Sequence, residues 1–206
     1  MQEVIDSPPA GLRERKKAER RLALIDAAHR LVEERGFDCV TVEDIAAAAG
    51  VSTRTFFNYF DTKDDAIVPA ITWPSGDTST AQFVEGGPTG DLASDLDLLL
   101  RRALESWQTH AERSATAARL AAQYPQLVAR RAAGIERYRV EVAALFAARA
   151  GRTRPEPEDT IGALAFVHLL RGAIACWESD PDGAPPAEHL SSVRARLRAL
   201  AAEPAP

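Results

Sequence analysis

The stretch TVEDIAAAAGVSTRTFFNYFDTKDD, residues 41–65, constrains the fold more than any other part of the chain. It holds three helix-start signals with one glycine between the first two, so helices must begin, end and begin again within a few turns. Thr41 can cap a first short helix, with Asp44 three residues on, where a capping box usually has Glu or Gln. Val42, Ile45, Ala46 and Ala49 form its buried stripe. Gly50 breaks the chain, Val51 fills the corner, and Ser52 caps a second helix through Tyr59. Asp61 is the expected cap of the next, DTKDDAIVPAI. That helix should stop or kink near Val68, because Pro69 cannot donate a hydrogen bond back to Asp65 and crowds the preceding turn.

Two short helices joined by a glycine-containing turn, the second offering polar side chains at its start, make a helix-turn-helix, which lays its second helix in the DNA major groove. In STRTFFNYF, Phe56 and Phe60 share one face, as a small core requires. Ser52, Thr53, Arg54, Thr55, Phe57, Asn58 and Tyr59 fall wholly or partly on other faces. Arg54 suits a guanine edge, Asn58 an adenine edge, and the Thr53 or Thr55 methyl a thymine. Thr41, Tyr59 and Lys63 suit phosphates, with helix starts adding backbone donors.

Upstream, the spacing of Leu24, Ile25, Ala28, Leu31 and Val32 predicts a helix over 16–35 that Gly36 ends. The net charge of -5 argues against a uniformly basic nucleic-acid binder, but the distribution is uneven. GLRERKKAERR, residues 11–21, carries Arg13, Arg15, Lys16, Lys17, Arg20 and Arg21 against Glu14 and Glu19. Downstream, WPSGDTSTAQFVEGGPTGD reads as a linker. Helices then follow over roughly 91–112, 115–122, 125–150, 156–179 and 186–202, with no strand-type alternation. The expected fold is all-α, with a flexible tail over 1–12, a DNA-binding domain over 13–69, a linker or long loop over 70–90, and a helical effector-binding and dimerisation domain over 91–206. No apolar run approaches the length of about eighteen residues that a membrane span needs, and the N-terminus is unlike a secretory signal. A cytoplasmic protein with no membrane partner and with Cys39 and Cys176 reduced is expected.

Residues 16–68 resemble the N-terminal domain of TetR-family transcriptional regulators, whose pattern is a helix ending in ERGF, then TVEDIAAAAGVS, then TFFNYFDTKDD. The resemblance implies a homodimer that binds a palindromic double-stranded operator and leaves it when a small effector binds the C-terminal domain. It gives Thr41 a DNA-backbone contact and makes Thr53, Arg54 and Thr55 the readers of base edges. It places Phe57 where many members have a tyrosine, Tyr59 where a histidine is common, and Lys63 at the family lysine of the fourth helix. The basic run, with Arg15, Lys16 and Lys17, would reach the neighbouring backbone or minor groove. In the family the fourth helix carries effector-driven movement, so Pro69 puts that route in question.

RPEPEDTIGALAFVHLLRGAIACWESD is similar to a subgroup related to the mycofactocin regulator, some of whose members respond to acyl-CoA. Ile161, Leu164, Ala165, His168, Leu169, Gly172 and Cys176 line one side of one late helix, and Leu190, Val193, Leu197 and Leu200 one side of the last. Paired with symmetry mates, these stripes would make a four-helix dimer interface. Trp107, Tyr124, Tyr138, Phe146, Phe166 and His168 are the large side chains available to an apolar effector pocket; of these, Trp107, Tyr124, Tyr138, Phe166 and His168 are taken as its lining. No GxSxG, HExxH or phosphate-binding glycine loop is present, the histidines are scattered, and neither an enzyme nor a cofactor is expected. The alternative weighed is a helical adaptor or ligand-binding protein with a disused helix-turn-helix, against which stand Arg54, Lys63 and the basic run.

Overall fold

The computed structural model describes residues 10–69, 78–180 and 183–202. Ten α-helices span the described residues, with no strand among them: α1 Ala10–Arg35, α2 Val42–Ala48, α3 Thr53–Phe57, α4 Lys63–Ile67, α5 Thr78–Val84, α6 Leu92–Gln108, α7 Ala111–Gln123, α8 Pro125–Arg149, α9 Pro157–Glu178 and α10 Leu190–Ala202. The chain forms two compact units, one of residues 1–70 and 112–132, the other of residues 71–111 and 133–206.

In the first unit, α1 buries Leu24, Ile25, Ala28, Leu31 and Val32. It ends as glycine permits: Gly36 adopts φ 81° while its N–H bonds the Val32 carbonyl at 2.9 Å. A 3-10 turn, Phe37–Cys39, leads to the Thr41 cap. The Thr41 hydroxyl accepts from the Asp44 N–H at 3.1 Å, and the Asp44 carboxylate accepts from the Thr41 N–H at 3.0 Å, completing the box. Gly50, at φ 69°, makes the next turn, and Ser52 caps α3. The cap of α4 is Thr62 rather than the expected Asp61: Thr62 and Asp65 repeat the Thr41 and Asp44 arrangement, so Thr62 satisfies two donors reciprocally. As the proline predicts, α4 ends at Ile67, with Val68 out of helical geometry. The Ile67 carbonyl lies 2.8 Å from Nε2 of the buried His29. A carbonyl can only accept, so this ring carries a proton on Nε2.

The first unit is discontinuous in sequence. Leu120, Ala121 and Leu127 join its core, and Arg113 forks onto Asp26 at 2.6 and 2.8 Å. Arg119 pairs with Glu33 and Arg130 with Asp65. The side chains of α7 and the start of α8 therefore belong with the helix-turn-helix, although they lie in the stretch expected to serve the effector.

The second unit packs Leu99, Leu100 and Leu104 of α6 with Tyr138 and Val142 of α8, Ala163, Phe166 and Leu170 of α9, and Leu190 and Val193 of α10. Two glycines permit close approach: a Cβ on Gly162 would lie 2.9 Å from the Phe146 ring, and one on Gly172 would lie 2.8 Å from Val193. The stretch 70–90 contains α5, where a linker was expected; residues 70–77 lie outside the described ones. Phe83 anchors α5, with its ring 5.5 Å from that of Phe146. Arg149 then donates to the Phe83 carbonyl at 2.7 Å, to that of Gly86 at 3.3 Å and to the buried Asp95 at 2.6 Å, supplying partners at the end of α5. Contrary to the sequence expectation, α9 is long and apolar enough to cross a membrane, with mean hydropathy 1.5 over its best window. One third (33%) of that window is buried, including Ala163, Phe166, Val167, Leu170 and Ala173 in the core of this unit.

Candidate nucleic-acid interface

The caps set the register of α3, and that register sorts its side chains. Phe56 is 0% exposed and Phe60 4%, so both are core. Arg54, Phe57 and Asn58, at i, i+3 and i+4, share the outward face, all exposed. Among the described residues Arg54 has no hydrogen-bond or ion-pair partner. An unpaired guanidinium on a projecting helix keeps its whole donor fork for a ligand, the chemistry that reads a guanine edge or a phosphate. Phe57 is 54% exposed, its ring edge-on to Phe56 at 5.6 Å. Thr53, Thr55 and Tyr59 are half-buried. The Thr55 hydroxyl is 2.9 Å from that of Ser52, so these two satisfy each other at the cap.

Thr41 is exposed at the start of α2, with its hydroxyl donating to Asp44 at 2.7 Å. The same hydrogen bonds from Thr41 hold the Asp44 carboxyl below its ordinary range, with Arg35 adding to the effect. Arg15, Lys16 and Lys17 are exposed and lie within α1, so the basic run is helical, not an extended arm. Arg15 makes a solvent-exposed contact with Glu19 at 3.4 Å, of little energetic consequence.

Lys63 is placed differently from the sequence expectation. Its ammonium donates to the carbonyls of Phe37 at 2.7 Å and Val40 at 2.9 Å, and stands 4.0 Å from the centre of the Phe37 ring. Two of its three donors are thus committed within the protein, and the side chain staples the 3-10 turn to α4. These contacts lie 26 and 23 residues away, beyond the reach of local pattern.

The residues taken for the effector pocket do not converge. Tyr124 is in the first unit, where its hydroxyl accepts from the Phe37 N–H at 3.2 Å and its ring lies 5.3 Å from that of Phe37. Tyr138 and Phe166 are core, with ring centres 6.5 Å apart. Burial, assisted by Glu141, pushes the Tyr138 phenol up, so it stays protonated. Trp107 is half-buried and edge-on to Trp177 at 5.5 Å, while His168 is exposed with Nδ1 at 2.7 Å from the Leu164 carbonyl one turn back. A groove of about 370 Å³ between α5 and α6, lined by Phe83, Pro88, Leu98, Leu99 and Arg101 among others, includes none of these five residues.

The stripes assigned to a dimer also divide. Leu190 and Val193 are buried within the chain, and Gly172 is the close contact for Val193. Cys176 is half-buried, whereas Ile161 (65%), Leu164 (41%) and Leu197 (47%) stay exposed beside His168. The side chain of Leu200 lies outside those described.

The model of bacterial regulatory proteins of the tetR family matches residues 24–67, the stretch from mid-α1 to the end of α4. The HTH-type transcriptional repressor KstR2 of Rhodococcus jostii (strain RHA1) is 41% identical over 51 residues, a quarter (25%) of each chain. A protein of Mycobacterium tuberculosis (strain ATCC 25618 / H37Rv) named for transcriptional regulation of mycofactocin biosynthesis, MftR, is 33% identical over 163 residues, 75% of this chain and 78% of that one. Among solved structures, NalD, a repressor of the MexAB-OprM efflux pump in Pseudomonas aeruginosa, shares the fold, with a TM-score of 0.53 and 24% identity over 87% of this chain and 96% of that one. With a relative of this identity aligned along most of both chains, and a helix-turn-helix built from capped α2 and α3, the chain belongs to the TetR family of DNA-binding transcriptional regulators.

Proposed function

We propose that this regulator is a homodimeric repressor that reads a palindromic operator with the outward face of α3 and is released by a small, largely apolar effector. The observation that carries the reading is the exposed face of Arg54, Phe57 and Asn58, in which the guanidinium has no described partner. Arg54 reads a base edge, Asn58 a neighbouring one, and Phe57 supplies apolar contact to sugar or a thymine methyl. Thr53 and Thr55 lie beside them. The N-terminus of α2 at Thr41 and the exposed Lys16 and Lys17 contact phosphates.

Dimerisation is supported by the apolar side chains Ile161, Leu164 and Leu197, which the chain leaves substantially exposed. A two-fold operator then matches a two-fold protein. The effector belongs to the second unit, whose interior is apolar and aromatic; the acyl chain of an acyl-CoA-like compound, or another molecule of aliphatic or aromatic surface, suits such side chains, whereas the multiply charged coenzyme A part would stay outside them.

The test is fluorescence anisotropy with duplexes tiled from DNA flanking the gene, at two salt concentrations, beside an unrelated duplex, with the mass of the free protein taken in parallel. One tile bound tightly over a weaker, salt-sensitive background, by a protein of twice the chain mass, is the expected result. Equal binding to all duplexes, or a monomer, counts against it.

A further inference from the structure

The 3-10 turn Phe37–Cys39 connects α1 to the Thr41 cap, so it determines where α2 starts and hence how α3 is braced. Two elements hold this turn through its backbone. From α4, Lys63 takes the carbonyls of Phe37 and Val40. At the other side, the Phe37 N–H donates to the hydroxyl of Tyr124 at 3.2 Å, 87 residues away in sequence. The Tyr124 ring packs on Phe37, and Gly36 is near enough that a Cβ there would lie 3.8 Å from the Tyr124 hydroxyl. Tyr124 stands at the corner between α7 and α8. On one side of it Leu120 and Ala121 are buried and Arg119 pairs with Glu33; on the other Leu127 is buried and Arg130 pairs with Asp65.

We propose that Tyr124 is a positioning residue for DNA binding: its hydroxyl, acting through the Phe37 amide, fixes the turn that sets α2 and α3 for the operator. The inference rests on the reading of α3 as the operator-reading helix. It makes the α7–α8 corner a control point for DNA affinity, since any shift of that corner changes the partner of one backbone N–H at the head of the helix-turn-helix. The Tyr124 hydrogen bond reaches the turn directly, while Lys63 of α4 holds the same turn from its carbonyls.

Tyr124→Phe keeps the ring and removes only the hydroxyl. In hydrogen exchange of the full chain without DNA, amides of residues 37–45 should exchange faster in Y124F than in wild type, with α6 unchanged. Against the tiled duplexes, the affinity of Y124F for the preferred tile should fall roughly three- to ten-fold, as loss of one net hydrogen bond implies. Binding to the unrelated duplex should stay within about two-fold, and the salt slope should be unchanged because no phosphate contact is lost. Unchanged exchange over 37–45 overturns the proposal, as does an equal loss on both duplexes that follows a fall in Tm. If wild type prefers no duplex, the operator-reading proposal fails, and the exchange measurement alone decides whether Tyr124 sets the turn.

Discussion

The starts of α3 and α4 are built alike and used differently. Each is a five-residue helix capped by a hydroxyl, Ser52 in one and Thr62 in the other, and each has a basic side chain in its first turn. On α3, Arg54 is exposed and has no described partner; on α4, Lys63 turns back and is committed to two carbonyls and an aromatic face. A cation beside the proposed operator-reading helix can therefore be committed within the protein. What decides is whether the fold places backbone carbonyls within reach, and the 3-10 turn and the residue after it place those of Phe37 and Val40 at Lys63.

The largest effect that bears on this contrast comes from the neighbouring phenylalanines of α3. Phe56→Ala should cost about 3–5 kcal/mol of stability by leaving a cavity, while Phe57→Ala should stay within about 0.5 kcal/mol, both measured by denaturant unfolding. Equal costs would mean that α3 is not seated in the register described. Next, Arg54→Ala should leave stability nearly unchanged but weaken the preferred duplex by about 1–3 kcal/mol and relax sequence preference. Lys63→Met should do the reverse, lowering stability by about 1–2 kcal/mol through lost charged hydrogen bonds while leaving the salt slope as in wild type. A slope smaller by about one would return Lys63 to the phosphates.

The smallest effect concerns His29, which braces the end of α4 from inside. Burial lowers its pKa below the ordinary 6.5, while the Ile67 hydrogen bond and the nearby Asp26 and Glu33 oppose the shift and Arg113 adds to it. A folded state that disfavours the proton is fully stabilised above pH 6.5 and loses that stabilisation as the pH falls through the lowered folded value. Wild type should thus lose stability on acidification from neutral pH, by at most about 1.4 kcal/mol per pH unit. The variant His29→Gln should show a shallower dependence in pH-resolved thermal unfolding.

Local signals made α2 and α3 legible: the Thr41 and Ser52 caps, Gly36 and Gly50 at positive φ, and Pro69 beyond α4 all act within a few residues of where they stand. Asp61 was the wrong cap for α4 because the deciding feature is Asp65, three residues beyond Thr62, a spacing already present at Thr41 and Asp44. The helix α5 is not legible in the sequence, since the stretch that contains it is rich in Gly, Pro, Ser and Thr; the Phe83 anchor and the Arg149 hydrogen bonds, up to 66 residues away, hold it. Sequence alone makes Tyr124 a candidate for the pocket lining, because an aromatic between two apolar helices gives no sign of which unit it joins. Its partner at Phe37 is a backbone N–H, a group every residue other than proline carries, so no sequence pattern marks it.

The return of residues 112–132 to the first unit bears on how such regulators can be recombined. A head cut at residue 70 and fused to another protein's sensor would leave behind Leu120, Ala121, Leu127 and Tyr124, which complete its core and its leading turn. On the proposed reading of α3, exchange of binding specificity between relatives is compatible with this architecture at the scale of exposed positions such as Arg54 and Asn58. A swap of the whole N-terminal segment succeeds only if the distant corner that packs on it travels too.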